Sequence, residues 1–204
     1  HADGILLDLG FSSHHIDRSG RGFSFMRDEP LDMRYNTSEN RLTATEIVNE
    51  WPEERIADIL WRYGEERFSR RIASGIAHAR ALARITSTTG LVSVIARSIP
   101  RGLSRRIHPA TRTFQALRIA VNGELESLER VLPEAVALLA PGGRFAVISF
   151  HSLEDRIVKT FMRRQEKNGL TSVATSKPVR PSPEEIRINP RARTARLRAA
   201  VKQK

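Results

Sequence analysis

The sequence predicts an α/β fold in which a sheet of about four strands carries an all-helical insertion. Two apolar runs bounded by glycines predict buried strands at residues 4–10 and 144–150. Between them, apolar residues recur every three or four positions, which is the helical period. A helix that stops at Pro141-Gly142-Gly143 and leads into an apolar strand is typical of a βαβ unit.

The amino-terminal part predicts a strand, a loop and a helical section in that order. The strand at 4–10 carries Asp8 near its carboxyl end, and residues 11–40 are rich in Gly, Ser, Asp and Arg without any period. Loops of that length in compact domains are often functional. Thr43 followed by Glu46 forms a capping-box pattern that opens the helical insertion, which we expect over 42–107.

The rest of the chain returns to the sheet. A helical pattern from Thr111 to about residue 132 is followed by Pro133, which predicts the start of a second, short helix. After the strand at 144–150, a further helix is predicted at 153–162. Residues 170–179 and 194–201 predict two more strands, the last one antiparallel and at the edge of the sheet.

Charge and composition narrow the functional class. The chain has 204 residues and a formal net charge of +11, and residues 161–204 hold twelve Lys/Arg against three Asp/Glu. Such a basic surface favours nucleic acid as partner, although a solvated basic tail without a specific partner has the same composition. The absence of cysteine excludes disulfides and thiolate zinc sites and suits the cytoplasm, where we expect the protein. No apolar run is long enough for a membrane span.

Two segments are expected at the carboxyl ends of the strands, where open α/β sheets bind their ligands. Asp8 leaves the first strand, where it can either bond a cofactor or substrate amine or cap the following turn. His151 is expected to contact substrate or to be bonded inside the loop, and Ser152 is expected to be the N-cap of the next helix. A hydrolase using Ser152 lacks the glycines of a nucleophile elbow. No His/Asp/Glu cluster has the spacing of a metal site.

Two basic segments are candidate RNA contacts. Arg112 and Arg118 follow the helix start near Thr111, where they can hold phosphates, or Thr111 can simply cap the helix. Residues 21–28 alternate aromatic and basic side chains, a pattern that suits single-stranded RNA. The alternative is that Phe23 and Phe25 pin the long loop to the core.

Five segments carry a resemblance to a known family. They are residues 8–13 (DLGFSS), 21–34 (RGFSFMRDEPLDMR), 108–118 (HPATRTFQALR), 148–156 (ISFHSLEDR) and 189–193 (NPRAR). Together, in this order, they resemble the MraW family of ribosomal RNA small subunit methyltransferases. Residues 139–144 also resemble the turn before the fifth strand of many class I methyltransferases.

The resemblance implies a partial Rossmann-like class I methyltransferase sheet with an inserted all-helical domain. Residues 1–41 would be the carboxyl-terminal part of the cofactor-binding half with its loop, 42–107 a helical insertion for RNA recognition, and 108–204 the remainder with a basic tail. The implied reaction moves a methyl group from S-adenosyl-L-methionine to N4 of a cytidine in 16S ribosomal RNA. The implied partners are that RNA and the small ribosomal subunit, without a membrane, and a homodimer is left open.

The resemblance also assigns residues. In the family, the carboxylate that matches Asp8 contacts the cofactor, as does a glutamine whose position is His15 here; histidine can still donate or accept a hydrogen bond. His151, Arg112 and Arg118 are the expected substrate contacts, and no catalytic base is assigned. The family's first strand, glycine-rich turn and ribose-binding acid have no match, so we expect a fragment that binds cofactor poorly and is inactive. The alternative function is a non-catalytic basic module that binds RNA or the ribosome.

Overall fold

The computed structural model describes residues 1–100 and 107–203, which form two compact units. The sheet unit comprises His1–Gly10 and Glu124–Lys204, and the helical unit comprises Phe11–Gly123. The elements in chain order are β1 (Ala2–Asp8), α1 (Ser13–Asp17), α2 (Ala44–Glu50), α3 (Glu53–Arg62), α4 (Ser69–Leu82), α5 (Thr88–Ser98), α6 (Thr111–Asn122), α7 (Glu124–Leu138), β2 (Leu139–Ser149), α8 (Ser152–Lys167), β3 (Thr171–Val173), α9 (Pro183–Ile188), a 3-10 helix (Pro190–Thr194) and β4 (Arg196–Lys202). None of the helices in these two ranges has the length and apolarity that crossing a bilayer requires.

The sheet unit is built on four strands in the order β1-β2-β4-β3. β1 and β2 run parallel, whereas β4 runs antiparallel to both of its neighbours. The α/β fold class predicted from the sequence is therefore confirmed, as is the antiparallel direction of β4. The predicted place of that strand at the edge is wrong, because β3 pairs with its outer side.

An apolar core joins the sheet to its two long helices. Phe145 and Val147 of β2 pack with Leu132 of α7 and Val158 of α8, and all four side chains are buried. Lys202 at the end of β4 donates hydrogen bonds to the carbonyl oxygens of Ala137 (3.2 Å) and Leu139 (2.7 Å), which closes the carboxyl end of α7. The core thus holds the carboxyl ends of β1 and β2 on a rigid support.

The helical unit has its own core, formed by the apolar stripes of its helices. Those stripes include Ile56 and Leu60 of α3 and Ile72 and Ile76 of α4, all fully buried. The predicted capping box at the start of α2 is confirmed, with Thr43 and Glu46 exchanging hydrogen bonds. The unit is wider than the predicted insertion at 42–107, of which residues 101–106 lie outside the described part of the chain.

The predicted helix that would run from Thr111 to about residue 132 is wrong. The helix breaks at Gly123, which adopts a left-handed conformation (φ 57°) at the end of α6, and α7 then continues through Pro133. The strand after it also starts earlier than predicted, at Leu139, because Pro141-Gly142-Gly143 lies in an irregularity of the pairing with β1. The apolar period continues across Gly123, so the pattern alone does not locate the break.

Candidate functional site

The carboxyl ends of β1 and β2 form a shared rim in the sheet unit. Asp8 pairs with Ile148 in the parallel register, and the backbone N–H of Leu9 donates to the carbonyl oxygen of Ile148 (3.0 Å). Residues 149–155 leave β2 at the same end of the sheet. The end of β1 with Asp8 and the loop after β2, which the sequence predicted at one ligand-binding rim, are therefore neighbours.

Asp8 is an exposed carboxylate at this rim. Its side chain forms no hydrogen bond or ion pair with the described residues, so it does not cap the turn that follows it. Gly10 lets the chain turn away from the strand with φ 94°, a conformation in which a Cβ atom would be strained. The result is an exposed carboxylate without a partner at the carboxyl end of β1.

His151, on the other strand of the rim, caps helix α8. Its Nδ1 accepts a hydrogen bond from the backbone N–H of Glu154 (3.4 Å), and the Glu154 carboxylate accepts from the backbone N–H groups of Phe150 (2.8 Å) and His151 (3.3 Å). The prediction that Ser152 is the N-cap is therefore wrong by one residue, since Ser152 is the first residue of α8. An imidazole takes the place of the usual hydroxyl, and Glu154 at the third helical position completes the capping box.

This cap favours one tautomer of the neutral His151 ring. Because Nδ1 is an acceptor, the neutral ring carries its proton on Nε2. Nε2 is buried and lies 3.3 Å from Oε1 of Glu154, without the alignment of a hydrogen bond. His151 is therefore arranged to hold the start of α8, and this favours the local role over substrate contact.

Glu124 joins His151 and Glu154 in a cluster that spacing in the sequence did not indicate. One ligand atom from each lies within 4.8 Å of the others. A metal ion needs a free lone pair on a histidine nitrogen, but Nδ1 is engaged by the α8 backbone and Nε2 carries the proton. The cluster therefore has the chemistry of a hydrogen-bonded helix start, and we assign it no metal.

Asp155 anchors the rim to β4 through two arginines. Its carboxylate accepts from Nε of Arg198 (2.6 Å) and Nη1 of Arg196 (3.1 Å). The side chains of Asp155 and Arg198 are only 12% and 9% exposed, so the pair is largely withdrawn from water. Spacing in the sequence does not pair Asp155 with β4, because Arg198 lies 43 residues further along the chain.

In the helical unit, His15 lies in an aromatic cluster. Its ring centroid is 5.2 Å from those of both Phe23 and Tyr35, and Phe11 stacks on Phe23 at 5.8 Å. Nδ1 of His15 and Oγ of Ser12 are 3.0 Å apart. His15 is thus fixed from both sides, by rings and by a hydroxyl.

We expect the His15 ring to titrate with a midpoint below 6.5. Desolvation by burial is the largest cause of its lowered pKa, followed by the positive charges of Arg21 and His14. Since the folded pKa lies below the unfolded value, the related stability is present above pH 6.5 and is lost as the pH falls through the folded pKa. An NMR titration of the ring proton measures this pKa, and a midpoint above 6.5 would contradict the environment described.

The two arginines predicted to hold substrate phosphates are both engaged inside the helical unit. Nη1 of Arg112 donates to the carbonyl oxygen of Glu65 (2.8 Å), and the Arg118 guanidinium lies 4.3 Å from the centre of the Phe11 ring. The alternative of capping by Thr111 is not observed either, because the N-cap of α6 is Ala110 without a side-chain hydrogen bond. Contact of Arg112 or Arg118 with substrate stays a prediction.

The aromatic and basic residues of segment 21–28 mainly hold the loop in place. Phe23 is buried, and Phe25 stacks on His108 at 4.5 Å and packs edge-on against Phe114. Nη1 of Arg21 donates to the carbonyl oxygens of Arg34 (2.7 Å) and Tyr35 (3.2 Å). The structure therefore favours the interpretation that this segment pins the loop to the core.

Comparison with known proteins identifies a family for almost the whole chain. Residues 1–203 match the MraW methylase family. Proteins named ribosomal RNA small subunit methyltransferase H are similar: that of Heliobacterium mobile is 51% identical over 98% of this chain and 69% of its own length. That of Geobacter sulfurreducens is 54% identical with the same coverage, and that of Synechococcus elongatus is 54% identical over 97% of this chain and 64% of its own length.

Proposed function

The chain belongs to the MraW methylase family, and from this premise we propose that the protein methylates the RNA of the small ribosomal subunit. The finer proposal is that it transfers the methyl group of S-adenosyl-L-methionine to the N4 amine of a cytidine in 16S ribosomal RNA. The relatives carry the ribosomal RNA methyltransferase name, and the resemblance of five motifs supports the cofactor and the atom that is methylated.

The proposal rests on one observation: the carboxylate of Asp8, at the rim shared by β1 and β2, has no partner among the described residues. An exposed carboxylate without a partner fits the hydroxyl and ammonium donors that this cofactor presents. Asp8 would hold it there, and the resemblance gives His15 the hydrogen bond that a glutamine makes in the family. When bound, S-adenosyl-L-methionine supplies a methyl group on a positively charged sulfur.

The chain's own residues would position the reactants. The N4 lone pair of cytidine is conjugated with the ring, so the amine must be held in line and must release a proton. Positioning of this kind can contribute several kcal/mol, up to about 7–11 in well-oriented systems. The capped start of α8, with His151 and Glu154, fixes the backbone of the loop that follows β2 and leaves the Asp8 side of the rim open. The cytidine must leave its stack to reach such a rim.

Replacing Asp8 by asparagine is expected to weaken cofactor binding about 10- to 100-fold, because a hydrogen bond to a charged group contributes about 1.5–3 kcal/mol. The control is Asp3→Asn, which removes an exposed carboxylate from the opposite end of the same strand. Isothermal titration with S-adenosyl-L-methionine and transfer of labelled methyl to small-subunit RNA measure the effect, using the protein expressed from its natural gene. Equal affinity in both variants would remove Asp8 from the site.

The proposed reaction is contradicted if the protein transfers no methyl group to 16S RNA or to the small subunit. Mass spectrometry of digested RNA tests the finer claim, since it separates N4-methylcytidine from its ring-methylated isomer. Weak cofactor binding by the 204-residue chain itself stays a prediction.

A second candidate is a basic module that binds RNA without catalysis. It is favoured by cations of the sheet unit such as Lys159, Arg163 and Lys177, which form no ion pair with described residues. This function predicts salt-sensitive binding to RNA without uptake of labelled cofactor, whereas the methyltransferase binds both.

A further inference from the structure

A groove of about 780 Å³ runs along helices α3 and α4 in the helical unit. Its volume lies in the range of about 300–1,000 Å³ that is usual for small-ligand sites. The residues of interest in its wall are Trp61, three arginines and two glutamates. None of them belongs to the rim of the sheet or to the aromatic cluster around His15.

Trp61 is the aromatic surface of this groove. α3 buries Ile56, Ile59 and Leu60 on its inner face, and Trp61 lies outside that stripe with 61% of its surface exposed. No ring or cation contact covers it within the described residues. Because a single exposed apolar side chain is ordinary on a protein surface, the charges beside Trp61 decide what the groove can bind.

Those charges come from two segments of the chain, and a third carboxylate of the wall, Asp58, pairs with Arg62 (3.3 Å). Arg67, Arg70 and Arg71 come from the segment that opens α4, whereas Glu53 and Glu54 come from the first turn of α3. Arg70 and Arg71 form no ion pair with described residues, and the Arg67 guanidinium lies over Phe68 at 4.6 Å. The groove therefore presents cations, an open indole face and hydrogen-bond-accepting carboxylates together.

We propose that this groove binds one unpaired nucleotide of RNA whose base carries an amino group. The base stacks on Trp61, its phosphate lies at Arg70 and Arg71, and its exocyclic amine donates to Glu53 or Glu54. Stacking on an aromatic side chain is how proteins hold unpaired bases, and arginines hold the backbone. A carboxylate accepts a hydrogen bond from the exocyclic amine of cytosine, whereas uracil has at that position a carbonyl oxygen, which cannot donate.

The inference rests on the proposed function for the choice of RNA as ligand, but the site is independent of the cofactor. A solvated face would bind RNA through charge alone and would not involve Trp61. A basic peptide is the other occupant that the carboxylates could attract, and the test includes it.

Fluorescence isolates the site because the chain has two tryptophans. In a Trp51→Phe variant only Trp61 emits, and we expect the pentanucleotide of cytidine to quench it with an affinity about tenfold higher than that of the uridine pentanucleotide. Trp61→Ala is expected to weaken binding of the cytidine oligomer about tenfold or more. Because Trp61 is exposed, this variant should fold, which circular dichroism verifies.

Charge variants distinguish a specific phosphate contact in the groove from non-specific attraction of RNA to a basic protein. Arg70→Gln with Arg71→Gln should weaken binding and lower its salt dependence, whereas Arg97→Gln on α5, also exposed, should change neither. Unchanged Trp61 emission, equal affinity for both oligomers, or quenching by a lysine-rich peptide alone would overturn the inference. If the protein expressed from its natural gene transfers methyl groups but shows no Trp61-dependent binding, only this site is contradicted. Quenching without any methyl transfer by that protein supports the site and contradicts the proposed function.

Discussion

Replacing Asp155 by alanine is expected to lower the free energy of unfolding of the sheet unit by about 3–5 kcal/mol, the usual effect of breaking a buried ion pair. The loss is large because Arg198 would remain, 9% exposed, with its charge uncompensated. Denaturant unfolding followed by circular dichroism measures it. Tryptophan emission would not report the change directly, since both tryptophans lie in the helical unit.

The same pair makes stability depend on pH in a defined direction. Burial raises the pKa of the Asp155 carboxyl, but hydrogen bonds and positive charge from Arg198 and Arg196 outweigh it and hold the pKa below 3.8. A depressed folded pKa means that the contribution is present above the unfolded value and is lost as the pH falls through the folded one. The advantage of the wild-type chain over Asp155→Asn should therefore shrink below about pH 3.8.

Two further variants test whether burial of the pair between Asp155 and Arg198 causes the large loss of stability. Glu184→Ala removes a carboxylate from an ion pair with Arg187 that is 64% and 75% exposed, so we expect a change below about 1 kcal/mol. Replacing the whole buried pair, as Asp155→Leu with Arg198→Met, should recover most of the lost stability, because the one charge left without its partner, that of Arg196, is 29% exposed and reaches water. If Glu184→Ala and Asp155→Ala cost the same, the pair is not withdrawn from water as described.

The elements that the sequence predicted well are those with strong local signals. The capping box at Thr43 and the apolar stripe through Ile56 and Leu60 depend on residues within one or two turns, so their patterns specify them. The break between α6 and α7 depends instead on the conformation of Gly123. Pro133 gave the stronger local signal for a break, yet the helix continues through it, because packing of α7 against the sheet offsets the missing hydrogen bond.

The candidate site likewise has features that the sequence predicts and features that only the fold reveals. The meeting of Asp8 with the loop after β2 was predictable, since parallel strands bring their carboxyl ends to one edge. The partners of Asp155 were not, because strand order decides that Arg198 of β4 lies beside α8. Similarly, Glu124 reaches His151 only through the packing of α7 on α8. Local chemistry can be inferred from spacing, whereas pairing across elements requires the fold.

Replacing Gly22 by alanine is expected to destabilise the helical unit by about 3 kcal/mol or more. That is at the upper end of the usual range for a single substitution. Gly22 has φ 74°, where an alanine costs about 1–2 kcal/mol. Its new Cβ would also collide with the carbonyl oxygen of Pro30 and lie 3.2 Å from the Thr88 methyl. A backbone carbonyl cannot rotate away as a side chain can, so the loop itself must shift. Tryptophan fluorescence during denaturation reports this unit.

Gly20→Ala is the matched control, because Gly20 lies in the same loop with φ 62° and an added Cβ atom there would meet no other atom within 4 Å. It should therefore cost only the conformational part, about 1–2 kcal/mol. The difference between the two variants measures the close approach at Pro30. Gly22 precedes Phe23, whose ring contacts His15, so the collision should also move the His15 ring resonance, whereas Gly20→Ala should leave it nearly in place. Equal stabilities and equal His15 spectra would mean that this loop does not pack against Pro30.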